Sequence, residues 1–373
     1  MDKETLYMMA LTRVPRLNHS QQRMLLETMG SATAIYEHRG DILDAVPEAM
    51  PALRDHLALM DTCLPRCEEE MTWAERNRVE CIGWTDPRYP ARMKECEDAP
   101  MILYYRGTAD LNAKRILSMV GTRKITDYGR QMCDVFLKDL SDLCPDVLVV
   151  SGLAYGVDVQ CHRRALHCGM QTIGVLAHGL DQIYPTLHRD TAREMLTRGG
   201  LLTEFMSRTP IEKRLFLQRN RIVAGCADAT IVVESAAKGG SLVTAEIAQG
   251  YGREVFAFPG RMTDPQSEGC NRLIAANTAA LITCAEDFVR TMGWQDDKAL
   301  RKKLKDGVQQ DLFLSLSPEE TLVAEALRGK ERLQLNQLSV ATGIPVGTLS
   351  GMLFTMEMRG IVRMLPGGMY RLS

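Results

Sequence analysis

Five short apolar runs constrain this chain more than anything else in its sequence: RILSMV from Arg115, DVLVV from Asp146, QTIGVL from Gln171, ATIVVE from Ala229 and REVFAF from Arg253. A strand with one face in water alternates apolar and polar residues. These runs do not, so each should be buried on both faces. Helical stretches such as YGRQMCDVFLKDL and TAEIAQGYG lie between them. That alternation predicts a Rossmann-like α/β domain, a mostly parallel sheet with helices on both faces. Open sheets of this class bind ligands beyond the carboxyl ends of their strands, so the loops after the apolar runs are where chemistry should sit.

Four such loops are rich in glycine: Gly121-Thr122-Arg123-Lys124, Ser151-Gly152-Leu153-Ala154-Tyr155-Gly156, His178-Gly179-Leu180-Asp181 and Lys238-Gly239-Gly240-Ser241. Glycine lets backbone N–H groups approach an anion closely, and a helix that follows adds a favourable dipole. Arg123 and Lys238 supply cations, one a planar fork and the other a point charge. Arg219-Asn220-Arg221, just before the fourth run, adds two arginines that are costly to bury unpaired; Asp228 or Glu234 could pair with them. The missing motifs matter as much. No G-x-x-x-x-G-K-[ST], no G-x-G-x-x-G after a strand, no HExxH, no nucleophile elbow and no clustered carboxylate pair occurs. Glu204 and Glu234 stand isolated as candidates for acid–base work, and Glu246 is expected to face the Gly-Gly loop from its helix. The loops are equipped to hold phosphates and poorly equipped to transform anything.

The flanking segments have other rhythms. Residues 1–72 show helical periodicity and no convincing strand, predicting a small helical domain; 73–112 read as a junction containing the strand-like MILYYRG, before the sheet domain at 113–294. Residues 295–315, with QDDKALRKKLKDG and its Lys303, read as a solvated linker. From 316 to 373, a capping box at Ser317 and Glu320, a helix ending at Gly329, two further short helices and a hairpin turning at Gly367-Gly368 make a winged helix-turn-helix. Its third helix carries no Arg or Lys between Pro345 and Met358, which favours a protein-contact or structural role over base reading.

The whole surface is not built for polyanions, since the net charge is −2 over 373 residues. The first residues have acidic character and no long apolar core, so a cytoplasmic, non-membrane protein is expected. Eleven cysteines in such a setting read as free thiols. Cys63, Cys67, Cys81 and Cys96 lack the paired knuckles of a zinc site, so no metal is expected.

VGTRK, VVSGLAYGVD, GLDQIYP, FLQRNRIVAG, KGGSLVTAEIAQGYGREVFAFPG and GCNRLIAAN, in that order across about 113–292, resemble the DNA processing protein A family (DprA, also called Smf). The resemblance implies a recombination mediator that binds single-stranded DNA, forms a homodimer through the Rossmann-like domain and helps load the RecA recombinase, notably in natural transformation. It implies no catalysis and no cofactor. It also implies a phosphate-holding pocket built from Gly121, Thr122, Arg123 and Lys124, from Ser151, Gly152, Tyr155 and Gly156, from Arg219, Asn220 and Arg221, and from Lys238, Gly239, Gly240 and Ser241. Two departures stand out: Ala177-His178, where the family usually has a glycine and a small residue, and Asn277, where a glycine is common. A rival resemblance, to nucleoside-monophosphate phosphoribohydrolases of the lysine-decarboxylase-like fold, rests on Gly239-Gly240-Ser241-Leu242-Val243-Thr244-Ala245-Glu246 and would make the chain an enzyme. The additional domains and the R-N-R segment count against it.

Overall fold

The computed structural model describes residues 2–46, 52–294, 316–328, 332–359, 361–365 and 369–372, and the chain divides into two compact units, Met1–Trp294 and Gln295–Ser373. A nine-stranded sheet organises the first: β1 (Glu80–Gly83), β2 (Ile102–Gly107), β3 (Ile116–Val120), β4 (Leu148–Ser151), β5 (Thr172–Val175), β6 (Gly199–Thr203), β7 (Ala229–Val232), β8 (Glu254–Ala257) and β9 (Ala280–Leu281). The spatial order is β1-β2-β6-β5-β4-β3-β7-β8-β9. Strands β3 to β9 run parallel, while β1 and β2 are antiparallel additions at one edge. The five apolar runs became β3, β4, β5, β7 and β8, whose residues are buried almost throughout.

Six helices among the described residues precede the sheet: α1 (Lys3–Thr12), α2 (His19–Met29), α3 (Ala32–Glu37), α4 (Ile42–Ala45), α5 (Ala52–Ala58) and α6 (Met60–Arg76). Eight follow or interleave with strands: α7 (Ala91–Lys94), α8 (Asp127–Leu143), α9 (Val157–His167), α10 (Arg189–Met195), α11 (Lys213–Gly225), α12 (Gly240–Gly250), α13 (Glu268–Ala275) and α14 (Ala285–Thr291). One sheet face is covered by α11 and α12, through Ile222, Val223, Ala245 and Ala248. On the other, Phe136 of α8 and Phe288 of α14 meet Phe256 and Phe258 edge to face.

Two expectations need correction. The segment 73–112 is no junction: it supplies β1 and β2, which pair with each other and extend the sheet from β6. Nor do the N-terminal helices form a core of their own. Leu11, Leu25, Leu57 and Met60 share one hydrophobic cluster with Met101, Ile102 and Tyr104 at β2 and with Met206. A buried carboxylate reinforces that contact, because Glu70 accepts from Ser207 N at 2.7 Å and pairs with Arg66 at 2.8 Å.

The second unit contains α15 (Pro318–Leu327), β10 (Leu333–Gln334), α16 (Leu335–Thr342), α17 (Val346–Met358), β11 (Val362–Leu365) and β12 (Met369–Leu372), with strand order β10-β12-β11. Ser317 and Glu320 form the reciprocal capping box, and Gly343, at φ 70°, closes α16 in the left-handed region that glycine tolerates. Val323, Leu338, Leu349, Leu353 and Val362 make its core. The linker at 295–315 with Lys303, the helix end at Gly329 and the turn at Gly367-Gly368 lie outside the described residues. Among those described, no single helix is long and apolar enough to cross a membrane, and no disulfide joins the cysteines.

Candidate nucleic-acid interface

The chain leaves β3 in one direction to make β4, β5 and β6, then returns through α11 to place β7 on the other side of β3. The carboxyl ends of β3 and β7 therefore stand side by side where strand order reverses, and a crevice opens there for purely topological reasons. It is a cleft of about 490 Å³ whose walls include Gly121, Thr122, Arg123 and Lys124, Gly152, Arg219 and Asn220, and Lys238 through Ser241. Loops distant in sequence are stitched together at its floor. Thr122 N donates to Glu234 O at 2.7 Å, and Val157 N donates to Thr122 O at 3.2 Å. Gly156, at φ 80°, lets the second loop come so close that any side chain there would collide with the Thr122 carbonyl.

Five cations and one carboxylate line the cleft: Arg123, Lys124, Lys213, Arg219 and Lys238, with Asp158. Arg123, Lys124, Lys213 and Lys238 are exposed, and the Arg123 guanidinium lies 5.3 Å from the centre of the Phe216 ring. Arg219 is different, only 4% exposed. Its Nη1 donates to Val175 O at 2.6 Å, its buried Nε has no hydrogen-bond partner, and its guanidinium occupies the space a side chain at residue 152 would need. Burial lowers its pKa to about 10 against the opposing pull of Asp158, so it remains a cation at neutral pH. Burial in turn raises Asp158, with Arg219 opposing. A low-dielectric floor beneath several exposed cations suits a multiply charged anion, because charge-assisted hydrogen bonds strengthen where water is excluded.

Eleven of the residues expected at the pocket line it, and four do not: Ser151, Tyr155, Gly156 and Arg221 are absent from its walls. Ser151 Oγ donates to Met119 O across the sheet, and Tyr155 packs edge-on against His188. Arg221 points to the far side of α11, where it pairs with Glu204 and donates to Asp98 O. Neither arginine uses the carboxylates expected to neutralise it: Asp228 pairs with Arg92 at 2.6 Å, and Glu234 accepts from Thr126 N at 2.9 Å. Glu246 does not face the Gly-Gly loop; it is exposed on α12 and no part of the cleft. Lys213, Phe216 and Leu217 of α11 line the wall and were not anticipated. A helical wheel over 213–220 was the signal that could have found them, since 213, 216, 217 and 220 share one face.

The two departures have physical accounts. His178 is buried, donates from Nδ1 to Gly179 O at 2.9 Å and accepts from Tyr184 N at Nε2, so it braces the GLDQIYP loop as a neutral ring, and burial lowers its pKa accordingly. Asn277 adopts φ 53°, the left-handed conformation that asparagine tolerates better than most residues.

A Rossmann-like sheet whose switch-point cleft carries five cations, with Glu204 and Glu234 engaged elsewhere, presents a cleft whose charge suits an anion. Comparison with known proteins narrows that class. The family model of DNA recombination-mediator protein A matches residues 80–293, and the model of the DprA winged helix domain matches 314–368. The chain belongs to the DNA recombination-mediator protein A (DprA/Smf) family. It is 33% identical over 310 residues to the protein Smf of Escherichia coli, covering 82% of this chain and 80% of that one. It is 35% identical over 279 residues to a putative DNA processing protein DprA of Mycobacterium tuberculosis, covering 74% and 70%. Among solved structures, DNA processing protein A from Streptococcus pneumoniae superposes with a TM-score of 0.66 at 30% identity, over 76% of this chain and 97% of that one. The Helicobacter pylori protein, solved for its single-stranded DNA binding mode, gives 0.52 at 29% identity, over 58% and 95%.

Proposed function

We propose that the cleft holds the phosphates of single-stranded DNA and that the chain is a recombination mediator, protecting an incoming strand and loading the RecA recombinase on it during natural transformation. The observation that carries this reading is the meeting of Arg123, Lys124, Lys213, Arg219 and Lys238 at one switch point beside glycine loops. Phe216, next to Arg123 in the wall, offers a face for an unpaired base, which a duplex keeps stacked inside. The protein binds and does not catalyse: Glu204 is consumed by Arg221, Glu234 by Thr126, and Glu246 faces away.

One cleft spans only a few nucleotides, so two clefts of a two-fold homodimer following one strand would supply the avidity a mediator needs. Titrating oligothymidine against duplex of equal length over a salt series tests the whole reading. Single strand should bind more tightly, with log K falling about 0.7 per phosphate contact against log salt. Light scattering on the same samples should give a dimer, and RecA filament assembly on coated strands should accelerate when the protein is added. A flat salt response, or equal duplex affinity, removes the phosphate cleft from the account.

A further inference from the structure

The fourth glycine loop, which runs on through GLDQIYP at 179–185, lines no part of the cleft. The fold nevertheless ties it down beside α11. Arg208 N donates to Asp181 Oδ2 at 3.0 Å, and Gln182 Nε2 donates to Thr209 O at 3.0 Å, so the loop is bound to the segment that leads into that helix. Within the loop, Tyr184 N donates to His178 Nε2 at 3.2 Å. What this scaffold presents is the ring of Tyr184. It is 41% exposed, and its hydroxyl has no hydrogen-bond partner among the described residues.

The ring is continuous with the cleft. Its centre lies 5.9 Å from that of Phe216, which stands in the cleft wall with the Arg123 guanidinium 5.3 Å from its own centre. Lys213, one turn before Phe216 on the same face of α11, is exposed and has no ion pair among the described residues. Rings set beside unpaired cations match a single strand, since every base has a π-face and every linkage a charge. A purely apolar protein surface would have no use for the cations.

The angle between the rings adds a constraint. Bases stacked on each other lie parallel, about 3.4 Å apart. The planes of Tyr184 and Phe216 are inclined at 67°, so bases lying flat on the two rings are inclined by about as much. We propose that Tyr184 stacks on the base next to the one held at Phe216, and that the strand turns sharply between them. The two bases give up their mutual stacking for the two rings, and Lys213 is placed to take the phosphate at the turn. This rests on the reading of the cleft as the site of a single strand.

Two ligands of equal length test it on the full chain: oligothymidine, and a backbone of abasic sites that keeps the phosphates and lacks every base. Tyr184→Leu should weaken oligothymidine about fivefold or more, as expected for one lost base–ring stack, and leave the abasic strand unchanged. Tyr184→Phe, which keeps the ring, should bind like the native chain. Arg123→Ala should weaken both ligands. If it weakens neither, the cleft reading fails and this proposal with it. If Arg123→Ala behaves as expected but Tyr184→Leu binds oligothymidine normally, only the Tyr184 assignment is overturned, and the ring is left to a protein partner. Equal weakening of both ligands by Tyr184→Leu overturns it too, because the effect would not need a base. The turn is read from oligothymidine carrying two adjacent 2-aminopurines, whose mutual stacking gives a circular dichroism couplet. The couplet should fall on binding the native chain and persist in the Tyr184→Leu complex; persistence in both, or loss in both, overturns the turn at Tyr184. If Tyr184→Leu does not fold, the couplet on the native chain decides alone.

Discussion

Arg219 and Arg221 are two residues apart on one helix and do opposite jobs. Arg219 faces the strand cleft, where its cation is opposed only by Asp158 and its Nε is unpartnered. Arg221 lies on the far face, saturated by Glu204 and the Asp98 carbonyl, next to His19 of the N-terminal helices. Both are buried, with 4% and 5% exposure, so burial does not distinguish them; their partners do. A cation facing a solvent cleft with spare donors is available to a ligand, whereas one closed into an ion pair holds the fold together. Through α11 the two are parts of one body, and the R-N-R segment joins the strand cleft to the N-terminal helices.

The largest effect expected from this contrast is on stability. Arg221→Ala leaves Glu204 buried without its counter-charge and should cost about 3–5 kcal/mol, the usual penalty for breaking a buried pair. Denaturant melts measure it, with strand affinity per folded molecule little changed. Replacing both partners, Arg221→Met with Glu204→Leu, should recover part of the loss, since no charge is then stranded. A variant that stays stable and loses the strand would reverse the assignment.

Each arginine also has a histidine beside it, and both rings are held neutral. Burial lowers His162 to about 3 and His19 to about 4, from 6.5, with Arg219 and Arg221 respectively as the next cause. Between those values and 6.5 the unfolded chain binds protons that the folded chain refuses. Stability is thus fully present above pH 6.5 and falls as pH drops from about 6.5 toward about 4. His162, fully buried, should contribute on the order of 3 kcal/mol to that loss by pH 4. His162→Asn should flatten the slope of denaturation midpoint against pH in this window; an unchanged slope would mean that the ring is not the group responsible.

The exposed cations sharpen the contrast from the other side. Arg123→Ala or Lys238→Ala should weaken single-strand binding about ten- to a hundredfold, because each removes one charge-assisted phosphate contact worth roughly 1.5–3 kcal/mol. Neither should move the melting temperature measurably, since both side chains sit in water. Loss of folding in either variant would place these cations with Arg221.

How much of this was legible depended on whether the physics was local. The five strands buried on both faces announced themselves because runs such as RILSMV and DVLVV lack the polar alternation of a half-exposed strand, with Ser118 the one polar residue inside these two. β6 did not, since Gly199-Gly200 opens it with no side chain to read, and β1 offers only Cys81 and Ile82 between Glu80 and Gly83. Three of the four glycine loops located the cleft, because a parallel sheet sends the loops after its strands to one edge; the fourth, at 178–181, is not among its walls. The division of labour between Arg219 and Arg221 was hidden only while that segment was not placed on a helix: residues two apart on a helix lie about 200° apart and cannot share a face. The fusion of the N-terminal helices with the sheet rests on contacts between residues such as Leu11 and Met206, and no local pattern reveals pairings at that separation.

The smallest expected effect bears on whether the chain is an enzyme. In Gly239-Gly240-Ser241-Leu242-Val243-Thr244-Ala245-Glu246, Thr244 is buried and lines the cleft, while Glu246, again two residues on, is turned to solvent. A carboxylate that does not reach the cleft can neither activate a water there nor repel a phosphate strongly through bulk solvent. Glu246→Gln should therefore change strand affinity by less than about twofold, within the few tenths of a kcal/mol typical of surface substitutions. The native chain incubated with AMP should release no adenine by chromatography. Release of the base, abolished in Glu246→Gln, would mean that the helix turns its glutamate inward when nucleotide binds, and the enzyme reading would displace the binding one.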